Sequence, residues 1–366
     1  MTKSTYLPGL HAVRFYAAFS VLIYHIDQNP PYWFAADRLR TPLTVPLLNG
    51  DDAVTLFFVL SGFLVTCLLL VERQRTGSVN APRFYMRRIL RIFPLYFTIY
   101  ALGFSLPILF DAPGFRLDAD PAAHLLIVFF SAHIARDLGA GMGMIGHLWS
   151  LGIEEQFYAA WGWLMRIARH PIIVFLLLLA VNFALKTLVS ESDSVVLRAI
   201  VLSTRFEAMI IGAIGAYILH ASPLVTRVLR NPVVTLVTLC ALAPTVLADY
   251  QYVQHYLVSS ALFALLLLQI TARPTRLDNR VTAHLGDLSY GIYMFHPLVL
   301  FLVWRAADAL RLSDAARHPF VFAATIVFTL VIAAASYRWL EAPFLRLKQR
   351  FGYAQLSAPK GLVPVP

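Results

Sequence analysis

Apolar residues run through this chain in blocks of about twenty, separated by short polar stretches rich in arginine. The blocks fall at 11–30, 53–71, 92–110, 148–165, 171–189, 204–220, 232–248, 255–271, 286–304 and 320–340. A helix rises about 1.5 Å per residue, so roughly twenty apolar residues cover the ~30 Å hydrocarbon core of a bilayer. The pattern predicts an all-α, polytopic integral membrane bundle of about ten transmembrane helices. A shorter apolar block at 122–134 predicts a re-entrant or interfacial helix. Lysine and arginine concentrate in 72–91, in 272–285 and in the tail, whereas acidic residues favour the intervening loops. By the positive-inside tendency, both termini are expected in the cytoplasm. One membrane domain is expected over 1–347, followed by a Pro-rich, disordered cytoplasmic tail over 348–366.

Composition narrows the class. Of 366 residues, 59% are hydrophobic and 14% charged, and the mean hydropathy is +0.68. A soluble domain is about a quarter charged, so this chain has too little charge to cover a globular surface. The net charge of +10 would suggest nucleic acid on a soluble protein. Here its placement on alternate loops accounts for it, and no nucleic-acid partner is expected. Cys67 and Cys240 lie inside apolar blocks and read as small fillers rather than a disulfide. No zinc-ligand spacing is present, so no metal is expected. The first block holds Arg14 and His25 and lacks a small-residue cleavage site, so it reads as a retained span rather than a signal peptide.

Polar side chains placed in hydrocarbon are costly and mark function. Arg14 and His25 are eleven residues apart, about 16 Å along a helix and close to three whole turns, so they share a face. Arginine keeps its charge when buried and needs an anion, a carbonyl or water, whereas histidine can shuttle a proton near neutral pH. Between Pro82 and Pro94, Arg83, Arg87 and Arg91 recur every four residues with Arg88 beside them, a positive face suited to phosphates or anionic lipid, or to topology alone. In Gly146–Tyr158, residues Ser150, Glu154 and Tyr158 share one helical face, and Glu155 adds a second carboxylate. A carboxylate near a histidine would orient its imidazole. His296 stands mid-span, followed by the helix-distorting Pro297, and reads equally as a satisfied kink or as a substrate contact. Small residues at Ser61–Gly62 allow helices, or a ligand chain, to come close.

Taken in order, these segments resemble the membrane-bound acyltransferase-3 family of bacterial carbohydrate O-acyltransferases. The resemblance covers about 6–347 and rests on Arg14 with His25, FFVLSGF at 57–63, RFYMRRILRIFPLY at 83–96, HLWSLGIEEQFY at 147–158, SYGIYMFHP at 289–297, and Glu341 with Pro343. It implies an enzyme that takes acyl groups, usually acetyl, from acyl-CoA and esterifies carbohydrate hydroxyls of lipopolysaccharide, exopolysaccharide, peptidoglycan or a signalling oligosaccharide. The expected setting is a bacterial inner membrane, with lipids and a glycan acceptor as partners and no tightly bound cofactor. The resemblance also implies a standalone membrane module without the additional hydrolase-like domain that many members carry. His11-Ala12-Val13-Arg14 departs from the usual Asp-Gly-Leu-Arg, which leaves the partner of Arg14 open.

The resulting expectation assigns catalysis to His25, Arg14 and Glu154. Donor binding falls on Arg88, Arg91, Arg87 and Ser61, and acceptor binding on Trp149, Ser150, Glu155, Tyr158 and His296. His25 acts as general base with Glu154 steadying its imidazole, although an acyl-enzyme on His25 or Ser150 stays open. A transporter or exporter of a glycan or small acid is the competing class, because a polar ladder through a bundle also serves transport. A third is a non-catalytic envelope assembly protein.

Overall fold

The computed structural model describes residues 7, 9–27, 49–247, 253–272, 277 and 279–352. Residues 28–30 of the first expected span, the loop with Arg38 and Arg40, and residues 353–366 of the expected tail lie outside the described residues. Among the described residues, fifteen α-helices follow one another: α1 (Leu10–Asp27), α2 (Gly50–Thr76), α3 (Ala81–Leu109), α4 (Pro121–Val128), α5 (Ala132–Asp137), α6 (Leu148–Ile167), α7 (Pro171–Ser190), α8 (Val195–Val201), α9 (Phe206–Ala221), α10 (Pro223–Leu229), α11 (Pro232–Leu247), α12 (Val253–Thr271), α13 (Arg280–Ala309), α14 (Asp314–Ser336) and α15 (Ala342–Lys348). A π-helical turn, Tyr337–Glu341, joins α14 to α15.

Local sequence sets the ends of these helices. Asn49 caps α2 by accepting the Asp52 N–H at 2.8 Å, and Gly77 ends it with φ of 78°, returning its N–H to Arg73 O. Asn80 accepts from Arg83 N and Pro82 follows in the first turn of α3, where a missing N–H costs nothing. Asn279 and Thr282 form a reciprocal capping box at the start of α13.

Among the described residues, five stretches are long and apolar enough to cross a membrane: Gly50–Thr76, Ala81–Leu109, Pro171–Ser190, Arg280–Ala309 and Asp314–Phe351. This corrects the expectation of about ten transmembrane helices, and with it the loop alternation that put both termini in the cytoplasm. Two causes account for the difference. The helix expected at 204–220 is 16 residues long, and the one expected at 232–248 has 16 described residues; 16 residues reach about 24 Å, short of the ~30 Å core. The apolar part of α12 is likewise short, at His255–Thr271. By contrast α1 and α6 are long enough but carry His11, Arg14, His25 and Asp27, or Glu154, Glu155 and Gln156. The block at 122–134 is divided between α4 and α5, with Phe130 at a φ of 58° in the break.

At the centre lie α2 and α13, whose apolar windows are 72% and 78% buried, against 11% for α7 at the periphery. Each pairs closely with a neighbour, α2 with α9 and α13 with α1 and α14. At the α2–α9 crossing a Cβ on Gly62 would lie 1.9 Å from Met209 O, and one on Gly212 2.0 Å from Val59 O. Both obstacles are backbone, so no rotamer change can relieve them. Gly62→Leu is expected to separate the two helices and cost at least the ~1–3 kcal/mol of an overpacked core. Size-exclusion profile and melting temperature in detergent check this; an unchanged melting temperature would contradict the close crossing.

Candidate functional site

Two polar centres sit within the bundle. The first gathers three histidines around α13. Pro297 has no N–H, so the Tyr293 carbonyl one turn earlier loses its helical donor. The His296 side chain fills that vacancy, with Nδ1 2.7 Å from Tyr293 O. A carbonyl only accepts, so Nδ1 of His296 carries the proton and its Nε2 is an acceptor in the neutral ring. That Nε2 stands 3.2 Å from His25 Nδ1 on α1, which also lies 2.9 Å from Val21 O. Nδ1 of His25 is therefore the donor to both, and its Nε2 is left with a lone pair. His296 is fully buried, whereas His25 is half-buried.

His147, at the start of α6, completes this centre. Its ring centroid is 5.4 Å from that of His296, and its Nε2 donates to Met294 O at 3.2 Å. Burial, reinforced by the nearby His25, pulls the His147 imidazole down to about 3, so it stays neutral at ordinary pH. The Tyr293 hydroxyl lies 2.6 Å from Ser150 Oγ, one of the two donating to the other, and the accepting hydroxyl is free to donate to His147 O, which lies 3.1 Å from Tyr293 Oη and 3.2 Å from Ser150 Oγ.

The second centre is charged and joins α1, α2, α3, α6 and α13. Ser61 donates to Glu154 Oε1 at 2.5 Å. The Arg88 guanidinium lies 3.8 Å above the Tyr158 ring, with Glu154 and Glu155 as its anionic neighbours. Arg14 faces the same group, within the field of Arg88 and Arg91 on one side and of Tyr158 and Asp287 on the other. Arg91 is 3.8 Å from Glu341 and 5.4 Å from the Tyr290 ring centroid. Asp287 lies 3.7 Å from His11, so α13 brings a carboxylate to the end of α1 that carries Arg14.

The face shared by Ser150, Glu154 and Tyr158 links the two centres: Ser150 reaches the histidines through Tyr293, while Glu154 and Tyr158 belong with the arginines. Several expected site residues stand elsewhere than the expected roles would put them. Glu154 is bonded to Ser61 among the arginines, and the side chain hydrogen-bonded to His25 is His296. Arg87 is engaged by other partners, with Nη2 3.3 Å from Glu72 and Nη1 donating to Phe351 O at 2.9 Å. Arg83 is exposed. Trp149 packs between the guanidiniums of Arg136, at 4.7 Å, and Arg205, at 5.5 Å. Sequence reasoning missed His147, Tyr293 and Asp287. For His147 the signal was its place two residues before Trp149 of the WSL segment. Among the described residues, no group of three or more His, Cys, Asp or Glu has an arrangement that could hold a metal ion.

The sequence profile described as the acyltransferase domain matches residues 7–338. The O-acetyltransferase OatA of Staphylococcus aureus strain NCTC 8325 is 25% identical over 394 aligned positions, covering 99% of this chain and 60% of the relative. OatA of strain MRSA252 is 24% identical over 376 positions, covering 94% of this chain and 58% of the relative. The chain thus spans about 60% of the length of these curated relatives. No solved structure matches. The membrane-length helices and the bacterial relatives together give a bacterial, multi-pass membrane location.

Proposed function

Because the chain belongs to the acyltransferase domain family, we propose that it transfers an acyl group, acetyl from acetyl-CoA, to a hydroxyl of a cell-envelope or exported carbohydrate. The observation that carries the reading is the lone pair on His25 Nε2, held on the same helix as Arg14 and about 16 Å from it. A base at one level and a phosphate-sized positive group at another suit a donor that is charged at one end and reactive at the other.

The donor phosphates rest against Arg88 and Arg91, with Arg14 adding positive charge. The pantetheine arm then runs past Ser61 along the Ser150–Glu154–Tyr158 face toward the histidines. His25 Nε2 takes the proton of the acceptor hydroxyl while the hydroxyl oxygen attacks the thioester carbonyl. The tetrahedral intermediate collapses, the carbon–sulfur bond breaks, and the thiolate recovers the proton from His25. The products are the carbohydrate ester and free CoA, so atoms and charge balance without an acyl-enzyme. His296 holds His25 in the tautomer with its base outward, as an oriented partner does in a triad. Glu154 acts on the donor side, holding Ser61 and balancing Arg88.

Bacterial cells expressing the chain should gain base-labile acyl esters on envelope or secreted glycans, read by mass spectrometry before and after mild alkali, relative to cells carrying an empty vector. Identical ester content in both cultures, with the protein present in the membrane, would overturn the proposal.

A further inference from the structure

Lys348 joins Arg14, Arg88, Arg91 and Arg87 at the charged centre and, like Arg87, has no part in the mechanism above. Lys348 closes α15, beyond the residues that match the family profile. The long last helix delivers it there. After the π-helical turn, α15 lies back against α3. Two contacts fix that docking: Arg87 Nη1 donates to Phe351 O at 2.9 Å, and Glu341 lies 3.8 Å from Arg91. Lys348 sits three residues before Phe351, half-buried, and the side chains acting on it are Arg91, Arg88, Arg14 and Arg87.

The local carboxylates are already engaged. Glu72 pairs with Arg87, Glu341 with Arg91, Glu154 and Glu155 face Arg88, and Asp287 faces Arg14. Among the described residues, no carboxylate lies within ion-pair distance of the Lys348 ammonium. An ammonium brought among four guanidiniums raises their mutual repulsion, which a shared anion relieves. We propose that Lys348 is a phosphate-binding residue of the acyl-donor site, its ammonium joining Arg88 and Arg91 on the phosphates of the CoA nucleotide. This rests on the donor reading above and extends it to a residue outside the family match. A compact ammonium suits a single phosphoryl oxygen, where the arginine forks suit pairs of oxygens. A lipid phosphate headgroup offers the same chemistry, so the test separates the two sources.

Full-length protein in neutral-lipid nanodiscs is titrated calorimetrically with CoA and with adenosine 3′,5′-bisphosphate, as wild type, Lys348→Gln and Lys348→Arg. Lys348→Gln is expected to raise Kd for both ligands about tenfold, and Lys348→Arg to restore most of the loss. Equal melting temperatures establish that folding is intact, and the arginine variant carries the comparison if the glutamine variant does not fold. Unchanged CoA affinity in a folded Lys348→Gln protein overturns the assignment. So does a Lys348→Gln effect confined to nanodiscs containing phosphatidylglycerol, which would give the lysine to a headgroup. Failure of the wild type itself to bind CoA overturns the donor reading, and the assignment with it. That failure is distinguishable, because it precedes any comparison of variants.

Discussion

His25→Ala is expected to lower the turnover number by about 10²–10⁴-fold, the usual contribution of a positioned general base. The size of the effect follows from the histidine centre. In the intact protein His25 is the half-buried imidazole, and its Nε2 is the ring nitrogen left with a lone pair. Fully buried His296 lies behind it and spends Nδ1 on the Tyr293 carbonyl. Neutral His147 spends Nε2 on Met294 O. Neither replaces the lost base without moving by about the width of a ring. The substitution also leaves His296 Nε2 without its donor, at about 1–3 kcal/mol. Turnover is therefore to be compared with melting temperature and membrane yield on the same preparations. Near-wild-type turnover in a folded His25→Ala protein would remove the base from the mechanism.

Arg88→Ala is expected to act on donor affinity and on stability together. Arg88 lies on the Tyr158 ring and faces Glu154 and Glu155. Loss of a charge-assisted phosphate contact of ~1.5–3 kcal/mol would raise KM for the acyl donor about 10–100-fold. Loss of the cation also leaves two adjacent half-buried carboxylates without their nearest guanidinium. That costs about 1–3 kcal/mol, less than the ~3–5 kcal/mol of a fully buried pair. Arg88→Lys separates the two effects. It keeps the charge that balances the carboxylates but loses the planar stack and the fork. Melting temperature should recover in Arg88→Lys while KM stays raised. Equal recovery of both would mean that Arg88 serves only to balance Glu154 and Glu155. Arg87→Ala offers a contrast: its partners are Glu72 and Phe351 O, so its loss should lower stability more than it changes KM.

Much of the site was legible because its determinants are local. The helical repeat alone puts Arg14 and His25 on one face of α1, and Ser150, Glu154 and Tyr158 on one face of α6. The His296–Pro297 pair signals a freed carbonyl within the same turn. Which residue answers which was not legible, because those pairings join helices far apart in sequence. His25 meets His296 across 271 positions, and Ser61 meets Glu154 across 93. Nothing within the segment 147–158 says that Glu154 will face arginines rather than a histidine. The four-residue spacing of Arg83, Arg87 and Arg91 implies a single positive face. Yet α3 is flanked on one side by Glu72 and on another by Tyr158, so Arg87 and Arg88 part company. The count of crossings failed for a related reason. Hydropathy sees apolar length, whereas α9 stops at Ala221 and α1 and α6 carry the polar groups that build the site.

One protein is expected to hold an acyl donor at the arginine centre and to use His25 to move its acyl group onto a hydroxyl. The most direct measurement incubates purified wild type and His25→Ala, in nanodiscs, with acetyl-labelled CoA and an envelope glycan extract, following bound nucleotide and labelled glycan in the same samples. Equal CoA binding by both proteins is expected, with base-labile label reaching the glycan only in the wild type. Comparable labelling of the glycan by both, at equal CoA occupancy, would contradict it.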